Sequence, residues 1–295
     1  MRIGIFTQGQ EGMTWQHWTG LAGAVEAHGF ESLLIADHYR SERDLGGLDA
    51  FATLAALAAV TQRVRLGTLV SPVTFRHPSV TAKMGTTIDH ISGGRFELGL
   101  GAGWVEREHR EFGFAFPPLR ERMDMVAQQL ELIRRQWTEP TALPEPVQQP
   151  HPPLIVGGDA KPRSLRIAAR GADEYDTPFV GADECARRRA LLAEACEEQG
   201  RPAGEVALSV LLGCVVGDSR AELRERARDL LARTGDGADP DAWLDGLGDG
   251  WLVGDARHIA ERLDAFRGAG VDRVLLMHLA HDELGPIEEL GAALL

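Results

Sequence analysis

Short runs of apolar and β-branched residues alternate along the chain with longer segments whose apolar residues recur at helical spacing. The short runs predict eight strands, over residues 3–8, 32–38, 64–70, 95–103, 154–158, 173–179, 206–216 and 272–280. The longer segments predict helices over residues 15–28, 48–61, 78–92, 119–137, 162–171 and 256–270. Apolar strands that alternate with helices are typical of a parallel sheet covered by helices.

Eight strands that alternate with helices predict an α/β fold, a single (β/α)₈ TIM barrel over residues 1–295. A doubly wound open sheet is the alternative that the pattern leaves open. The proline-rich segment 139–153 is interpreted as a surface connection inside one barrel, because the alternation resumes directly after it. The Gly- and Asp-rich segment 234–250 is predicted to be a mobile loop.

Composition and charge narrow the class of protein. Apolar residues make up 44% of the chain and charged residues 25%, and the formal net charge of −13 disfavours nucleic acid or an anionic membrane as a partner. No apolar run reaches the roughly 20 residues of a membrane helix, and the first residues lack a signal-peptide layout. Cys185, Cys196 and Cys214 show no metal-ligand spacing, so we expect reduced thiols, no metal site and a cytoplasmic location.

The predicted second strand ends in Asp37-His38, the most reactive pair at any predicted strand end. In a barrel, functional residues collect where strands run into the following loops. Histidine titrates near neutral pH and can move protons. Because neighbouring strand residues point to opposite faces, we do not expect the two side chains to form one dyad. On position alone, a structural and a catalytic role are equally supported.

The fifth predicted strand ends in Gly157-Gly158-Asp159, and a helix starts at Pro162. Glycines let backbone N–H groups approach an anion at a helix start, and Lys161 and Arg163 add positive charge. A phosphate site and a plain tight turn with solvated charges fit this stretch equally well. The usual phosphate site of a barrel follows strands seven and eight instead.

The segment "GRFELGLGAGW" ends the fourth predicted strand and has glycines at Gly99, Gly101 and Gly103. The dinucleotide fingerprint needs a glycine where Trp104 stands, so that motif is absent. The alternating glycines face one side of the strand. They either let a neighbouring strand pack closely or leave a flat surface for a ring, with Trp104 as a wall of the substrate pocket.

Several motifs together resemble the bacterial luciferase-like superfamily of flavin- and deazaflavin-dependent oxidoreductases. They are "ADH" at strand two, the "RHP" turn, "D-x-x-SGGR", "GLGAGW" followed by "E-x-x-x-FG", and "PPLIVGG" with "AARGADE" after it. The likeness covers most of residues 2–177 and is weaker beyond them. It implies a (β/α)₈ barrel whose cofactor ring lies across the C-terminal mouth.

The resemblance also implies roles for particular residues. The ring would rest on a bulge at the end of strand three, often with a non-proline cis peptide, which matches Leu69-Val70. His38 would donate a proton or orient the substrate, and Trp104 would complete the catalytic pair. The implied cofactor-binding residues are Asp37, Thr68, Leu69, Val70, Gly101, Ala102, Gly103, Gly157, Gly158, Asp159 and Thr177, the last four near the cofactor phosphate.

The resemblance is compatible with either of two cofactors. Coenzyme F420, an 8-hydroxy-5-deazaflavin, transfers hydride, whereas FMN supports monooxygenation with O₂. The motifs look closest to the F420-dependent branch, and the acidic F420 tail could meet Arg40, Arg43, Lys161 and Arg163. Sugar-phosphate dehydrogenases of this branch carry a glutamate where Trp104 stands. We therefore expect a small hydrophobic substrate whose C=C or C=N bond accepts hydride, or the reverse oxidation.

Two further functions remain open. One is an FMN-dependent monooxygenase that uses O₂ and a separate flavin reductase, and the other is a barrel that binds a ligand without catalysis. In each case the expected partner is a small molecule. The resemblance further implies a homodimer.

Overall fold

Nine parallel strands form one sheet in the computed structural model, which describes residues 1–41, 43, 45–139 and 143–295. The strands are β1 (Arg2–Thr7), β2 (Ser32–Ile35), β3 (Arg65–Pro72), β4 (Phe96–Gly101), β5 (Leu154–Gly157), β6 (Glu174–Pro178), β7 (Ala207–Val216), β8 (Trp251–Gly254) and β9 (Arg273–Met277). Each of the eight predicted strands is present with ends shifted by a few residues, and β8 is additional.

The sheet closes into a barrel. Strand β7 pairs with both β6 and β9, and β9 pairs in turn with β1. The first seven strands and β9 thereby form a closed ring of eight strands. The predicted (β/α)₈ barrel is confirmed, and the alternative of an open sheet is wrong. Strand β8 extends the sheet outside this ring and pairs with the end of β7, from Gly213 to Val216.

Helices surround the barrel. They are α1 (Trp15–Ala27), α2 (Ala50–Val60), α3 (Pro78–Ser92), α4 (Glu106–Phe112), α5 (Leu119–Thr138), α6 (Pro162–Gly171), α7 (Ala182–Glu198), α8 (Arg220–Thr234), α9 (Pro240–Asp245), α10 (Ala256–Gly268) and α11 (Gly285–Leu294). Helix α9 lies inside the segment predicted to be a mobile loop, where Asp239 caps its first turn. The mobility of residues 234–250 stays a prediction.

The proline-rich segment connects helix α5 to strand β5 of the same barrel. Residues 140–142 of it lie outside the described part of the chain. Further along, Gln148 donates hydrogen bonds from its backbone and its side chain to Asp89 on α3, at 3.0 and 2.7 Å. These bonds hold the segment against the outside of the barrel, as expected for a connection within one barrel.

Charged side chains fill the N-terminal end of the barrel. The buried guanidinium of Arg273 donates to Glu97 at 2.7 Å and to Glu174 at 2.9 and 2.7 Å. Arg65 forms a second ion pair with Glu97. Although burial pushes the pKa of Glu97 upward, Arg273 and Arg65 hold it below its usual value. We call these four residues the basal ion cluster.

Apolar side chains fill the middle of the barrel above the basal ion cluster. Residues from six strands contribute, namely Phe6, Leu34, Leu69, Ile155, Leu211 and Leu275. A separate and larger apolar core lies between the strands and the helices. The described residues therefore close the barrel at its N-terminal end and in the middle, and they leave space toward the C-terminal ends of the strands.

Candidate active site

A cavity of about 700 Å³ lies at the C-terminal ends of β3 to β7. Its walls include nine of the residues that the sequence predicted for the site: Leu69, Val70, Gly101, Ala102, Gly103, Trp104, Gly157, Gly158 and Asp159. The first residues of α5, among them Leu119 and Met123, close the outer side. The cavity is in the size range of small-molecule sites and lies where barrel enzymes place them.

Strand β3 carries an irregularity beside this cavity. Its pairing with β4 shifts register between Thr68 and Ser71. The Leu69–Val70 peptide bond within this interval is cis, as the family resemblance implied. The shift directs the side chain of Val70 toward the ends of β4 and β5.

Glycines on β4 and β5 make room for this irregular strand. A Cβ on Gly101 would lie 2.3 Å from Val70 Cγ2, and one on Gly99 would lie 2.2 Å from the carbonyl oxygen of Thr68. A Cβ on Gly157 would meet Val70 Cγ1 at 3.0 Å. The close-packing interpretation therefore explains Gly99 and Gly101. A bound ring is not needed to account for their missing side chains, although Gly101 also lines the cavity.

Asp37 and His38 point to different partners, as the strand geometry predicted. Asp37 is buried, accepts a hydrogen bond from Ser71 Oγ at 2.6 Å and forms an ion pair with Arg76. His38 lies 6.0 Å from Trp104, ring centre to ring centre, in an edge-to-face contact. Neither residue belongs to the cavity wall, but His38 contacts Trp104, which does.

Glu108 on α4 holds His38 in place. Its Oε2 lies 2.9 Å from His38 Nδ1, and its Oε1 accepts hydrogen bonds from the backbone N–H groups of Tyr39 and Arg40. Glu108 is buried, so this carboxylate fixes both the ring and the backbone that carries it. The sequence assigned no role to Glu108, although it is the first residue of the "E-x-x-x-FG" motif.

An eight-stranded barrel with a bulged β3 and a histidine shortly after β2 agrees with the family resemblance of the sequence. The sequence profile of the luciferase-like monooxygenases matches residues 1–273. The chain belongs to this family. The resemblance that the motifs carried is thereby confirmed.

Individual relatives show how far the likeness extends. An F420-dependent glucose-6-phosphate dehydrogenase from Nakamurella multipartita is 37% identical over 172 residues, which cover 53% of this chain and 50% of the relative. An uncharacterised protein from Mycobacterium tuberculosis is 31% identical over 188 residues, which cover 53% of this chain and 65% of the relative. The matched part thus spans less than two thirds of the length of these relatives.

A solved structure confirms the fold over the full length. The F420-dependent secondary alcohol dehydrogenase in complex with an F420-acetone adduct has a TM-score of 0.80 and 18% identity. The likeness covers 100% of this chain and 99% of that chain. At this identity the likeness shows the luciferase-like barrel alone.

Thr68 and Thr177, like Asp37 and His38, lie outside the cavity lining. The buried hydroxyl of Thr68 donates to the carbonyl of Gly99 at 2.9 Å and accepts from its N–H at 3.2 Å, which joins β3 to β4. The buried hydroxyl of Thr177 accepts a hydrogen bond from Arg188 on α7. Both hydroxyl groups thus fix strands whose C-terminal ends form the cavity.

Basic side chains surround one part of the cavity. Arg120, Lys161 and Arg163 line it, and Arg163 also pairs with Asp124. The other two predicted basic residues are directed elsewhere: Arg40 pairs with Glu111, and Arg43 donates to the carbonyl of Arg233 at 2.7 Å. The structure thus brings Lys161 and Arg163 to the cavity, and Arg120 joins them.

The described residues contain no group of three or more His, Cys, Asp or Glu side chains that could hold a metal ion. Within the same residues, no helix is long and apolar enough to cross a membrane.

Proposed function

We propose that this luciferase-like protein is an F420-dependent oxidoreductase. It transfers hydride between the deazaflavin and a small, hydrophobic organic substrate, by reduction of a C=C or C=N bond or by the reverse oxidation. The observation that carries this proposal is the position of the His38–Glu108 pair beside a large cavity with a flat face at Val70. The F420-dependent relatives support the choice of cofactor.

The residues of the cavity fit a flat, fused ring. Val70, Gly101 and Gly157 present a face from which only the short Val70 side chain projects. Leu69, Ala102 and Gly103 extend this face, and the surface around it is largely apolar. When bound, the deazaflavin supplies the carbon that gives or takes the hydride.

The loop between β5 and α6 would hold the phosphate of the cofactor side chain. Gly158 and Asp159 line the cavity just before α6, which begins at Pro162. Backbone N–H groups at a helix start and the nearby Lys161 ammonium group attract an anion. In this proposal Asp37, Thr68 and Thr177 act indirectly, because they support the strand ends from behind the cavity wall.

His38 is the proposed proton donor to the substrate. Its Nδ1 faces the Glu108 carboxylate at 2.9 Å, which leaves Nε2 as the nitrogen that can exchange a proton with another molecule. The side chain is 14% exposed, so the ring is largely shielded but reachable. The Glu108 carboxylate orients the ring.

Trp104 sets the proposed substrate class. Its side chain is 72% exposed and lines the cavity with Leu119 and Met123. These side chains form an apolar wall where sugar-phosphate dehydrogenases of this branch place an acid. We therefore propose an enone or imine, and not a sugar phosphate, as the substrate type.

An FMN-dependent monooxygenase is the second candidate function. The monooxygenase RslO1 from Streptomyces bottropensis has the same fold, with a TM-score of 0.81 and 24% identity over 100% of this chain and 96% of that chain. The same flat face would accept the ring of FMN. This function requires O₂ and a separate reductase.

Titration of the purified protein with F420 and with FMN tests the proposal. We expect saturable binding of one F420 per chain, followed by fluorescence, and markedly weaker binding of FMN. Tight FMN binding without F420 binding would contradict the proposal and favour the monooxygenase. The cytoplasmic location and the homodimer stay predictions.

A further inference from the structure

Asp176 places a buried carboxyl group at the inner end of the cavity. It lies on β6, is 3% exposed and contributes to the cavity lining. Leu69, Pro178 and Leu211 line the cavity around it, so its surroundings are mostly apolar. The function proposed above does not use this group.

The hydrogen bonds of Asp176 leave one of its oxygens available. Ser209 on β7 donates its hydroxyl to Oδ1 at 2.9 Å. Among the described residues, no other side chain donates a hydrogen bond to this carboxyl. Its Oδ2 atom is not fully buried. Oδ2 is therefore the oxygen that a bound molecule can reach.

The charged groups around Asp176 do not neutralise it. Arg273 on β9 belongs to the basal ion cluster, and Arg188 on α7 bonds to Glu184 and to Thr177. The nearest acid on the same strand is Glu174, which faces the same side of β6 two residues earlier. The other titratable neighbours, Tyr175 on β6 and Cys185 on α7, are uncharged near neutral pH.

Burial in this setting raises the pKa of Asp176 to about 7. Glu174 adds to the increase, whereas the Ser209 hydrogen bond and the charge of Arg273 oppose it. The carboxyl group therefore carries a proton below neutral pH.

We propose that Asp176 is a ligand-binding residue that donates a hydrogen bond to an acceptor atom on the fused heterocycle of the cofactor. Its partner is a carbonyl oxygen or a ring nitrogen that reaches the inner end of the cavity. The ligand's identity rests on the function proposed above. Loss of the proton replaces this donor with a negative charge that faces the acceptor, so binding weakens as the pH rises through neutrality.

The test compares the dissociation constant of F420 for the wild type and for Asp176→Asn between pH 5.5 and 9. Asparagine has the same shape and keeps an N–H donor at every pH. The informative quantity is the dissociation constant of the wild type divided by that of Asp176→Asn, because this ratio removes the pH effects that the two proteins share. We expect this ratio to be within about threefold of one at pH 6 and to increase at least about tenfold by pH 9.

Ser209→Ala sharpens the comparison. It removes the hydrogen bond that favours the charged carboxyl, so the increase in the ratio should begin at a higher pH. A ratio that stays constant with pH, or an unchanged profile in Ser209→Ala, would overturn the role of Asp176.

A second measurement follows the carboxyl group without any ligand. A pKa raised from about 4 to about 7 makes the wild type lose stability, relative to Asp176→Asn, as the pH rises from about 4 to about 7. The free energies of unfolding of the two proteins should therefore diverge over this range and run parallel above it. Parallel curves throughout would show that Asp176 is charged in the folded protein, which contradicts the proposal.

The outcomes separate this proposal from the proposed function. A wild type that binds F420, with a ratio to Asp176→Asn that stays constant with pH, overturns only the role of Asp176. A wild type that binds F420 at no pH overturns the proposed function, and with it the cofactor contact of Asp176.

Discussion

The two ends of the barrel interior are built in opposite ways. At the N-terminal end, the basal ion cluster of Arg65, Glu97, Glu174 and Arg273 is buried and hydrogen-bonded. At the C-terminal end, glycines and short apolar side chains leave a cavity of about 700 Å³. Both ends contain buried carboxyl groups, but those at the N-terminal end have a guanidinium partner, whereas Asp176 has only a hydroxyl.

This difference shows how one set of strands serves two purposes. A carboxylate paired with arginine stays charged and holds neighbouring strands together. A buried carboxyl without a cation becomes a proton donor near neutral pH and can serve a ligand. We therefore expect substitutions in the basal ion cluster to change stability, and substitutions near the cavity to change binding and catalysis.

Arg273→Met should have the largest effect. It leaves Glu97 and Glu174 buried near each other without their shared cation, and we expect a loss of about 3–5 kcal/mol in the free energy of unfolding, measured by chemical denaturation. The F420 affinity of the remaining folded protein should change by less than about threefold, since the cavity lies at the other end.

Arg257→Ala is the matched control. It removes an exposed ion pair with Glu261 at 3.1 Å, which is expected to change the same free energy by no more than about 0.5 kcal/mol. If Arg273→Met cost as little as this control, the basal ion cluster would not be what stabilises the barrel.

His38→Ala should have the converse effect. We expect the rate of reduced F420 oxidation by an enone or imine acceptor to fall about 10²- to 10⁴-fold, because the proton donor is lost. Cofactor affinity should stay within about threefold of the wild type, because His38 is not part of the face of Val70, Gly101 and Gly157 on which the ring is proposed to lie.

Glu108→Gln provides the finer comparison. It keeps an oxygen facing His38 Nδ1 but removes the negative charge, so a smaller loss of rate, about tenfold, is expected. A variant of His38 that loses cofactor affinity but keeps its rate at saturating cofactor would show that proton transfer is not its role.

The sequence predicted the architecture of the barrel because the strands are apolar runs and most of them are separated from the next by a helical pattern. Helix α7, between β6 and β7, was not predicted. Strand β8 escaped prediction, since it has only four residues and follows a Gly- and Asp-rich segment. Helix α4 was not predicted either, because its seven residues are mostly charged and show no apolar periodicity.

The candidate site was predictable where it follows the strand ends, and less so where it depends on register. Leu69, Gly101 and Gly157 were placed by the strand-end rule and the family resemblance together. The contact between Glu108 and His38 joins residues 70 positions apart, so no local pattern signals it. Asp176 meets Ser209 only because β6 and β7 pair in one particular register.

F420 titration of Gly157→Leu tests most directly whether the cofactor ring lies on the glycine-flanked face of the cavity. A side chain at Gly157 would meet Val70 Cγ1 and otherwise project into the cavity, whereas Gly23 on α1 has open space around it. We predict that Gly23→Leu binds F420 like the wild type and that Gly157→Leu binds it at least about thirtyfold more weakly while remaining folded. Equal affinity in all three proteins would place the cofactor elsewhere and contradict this account.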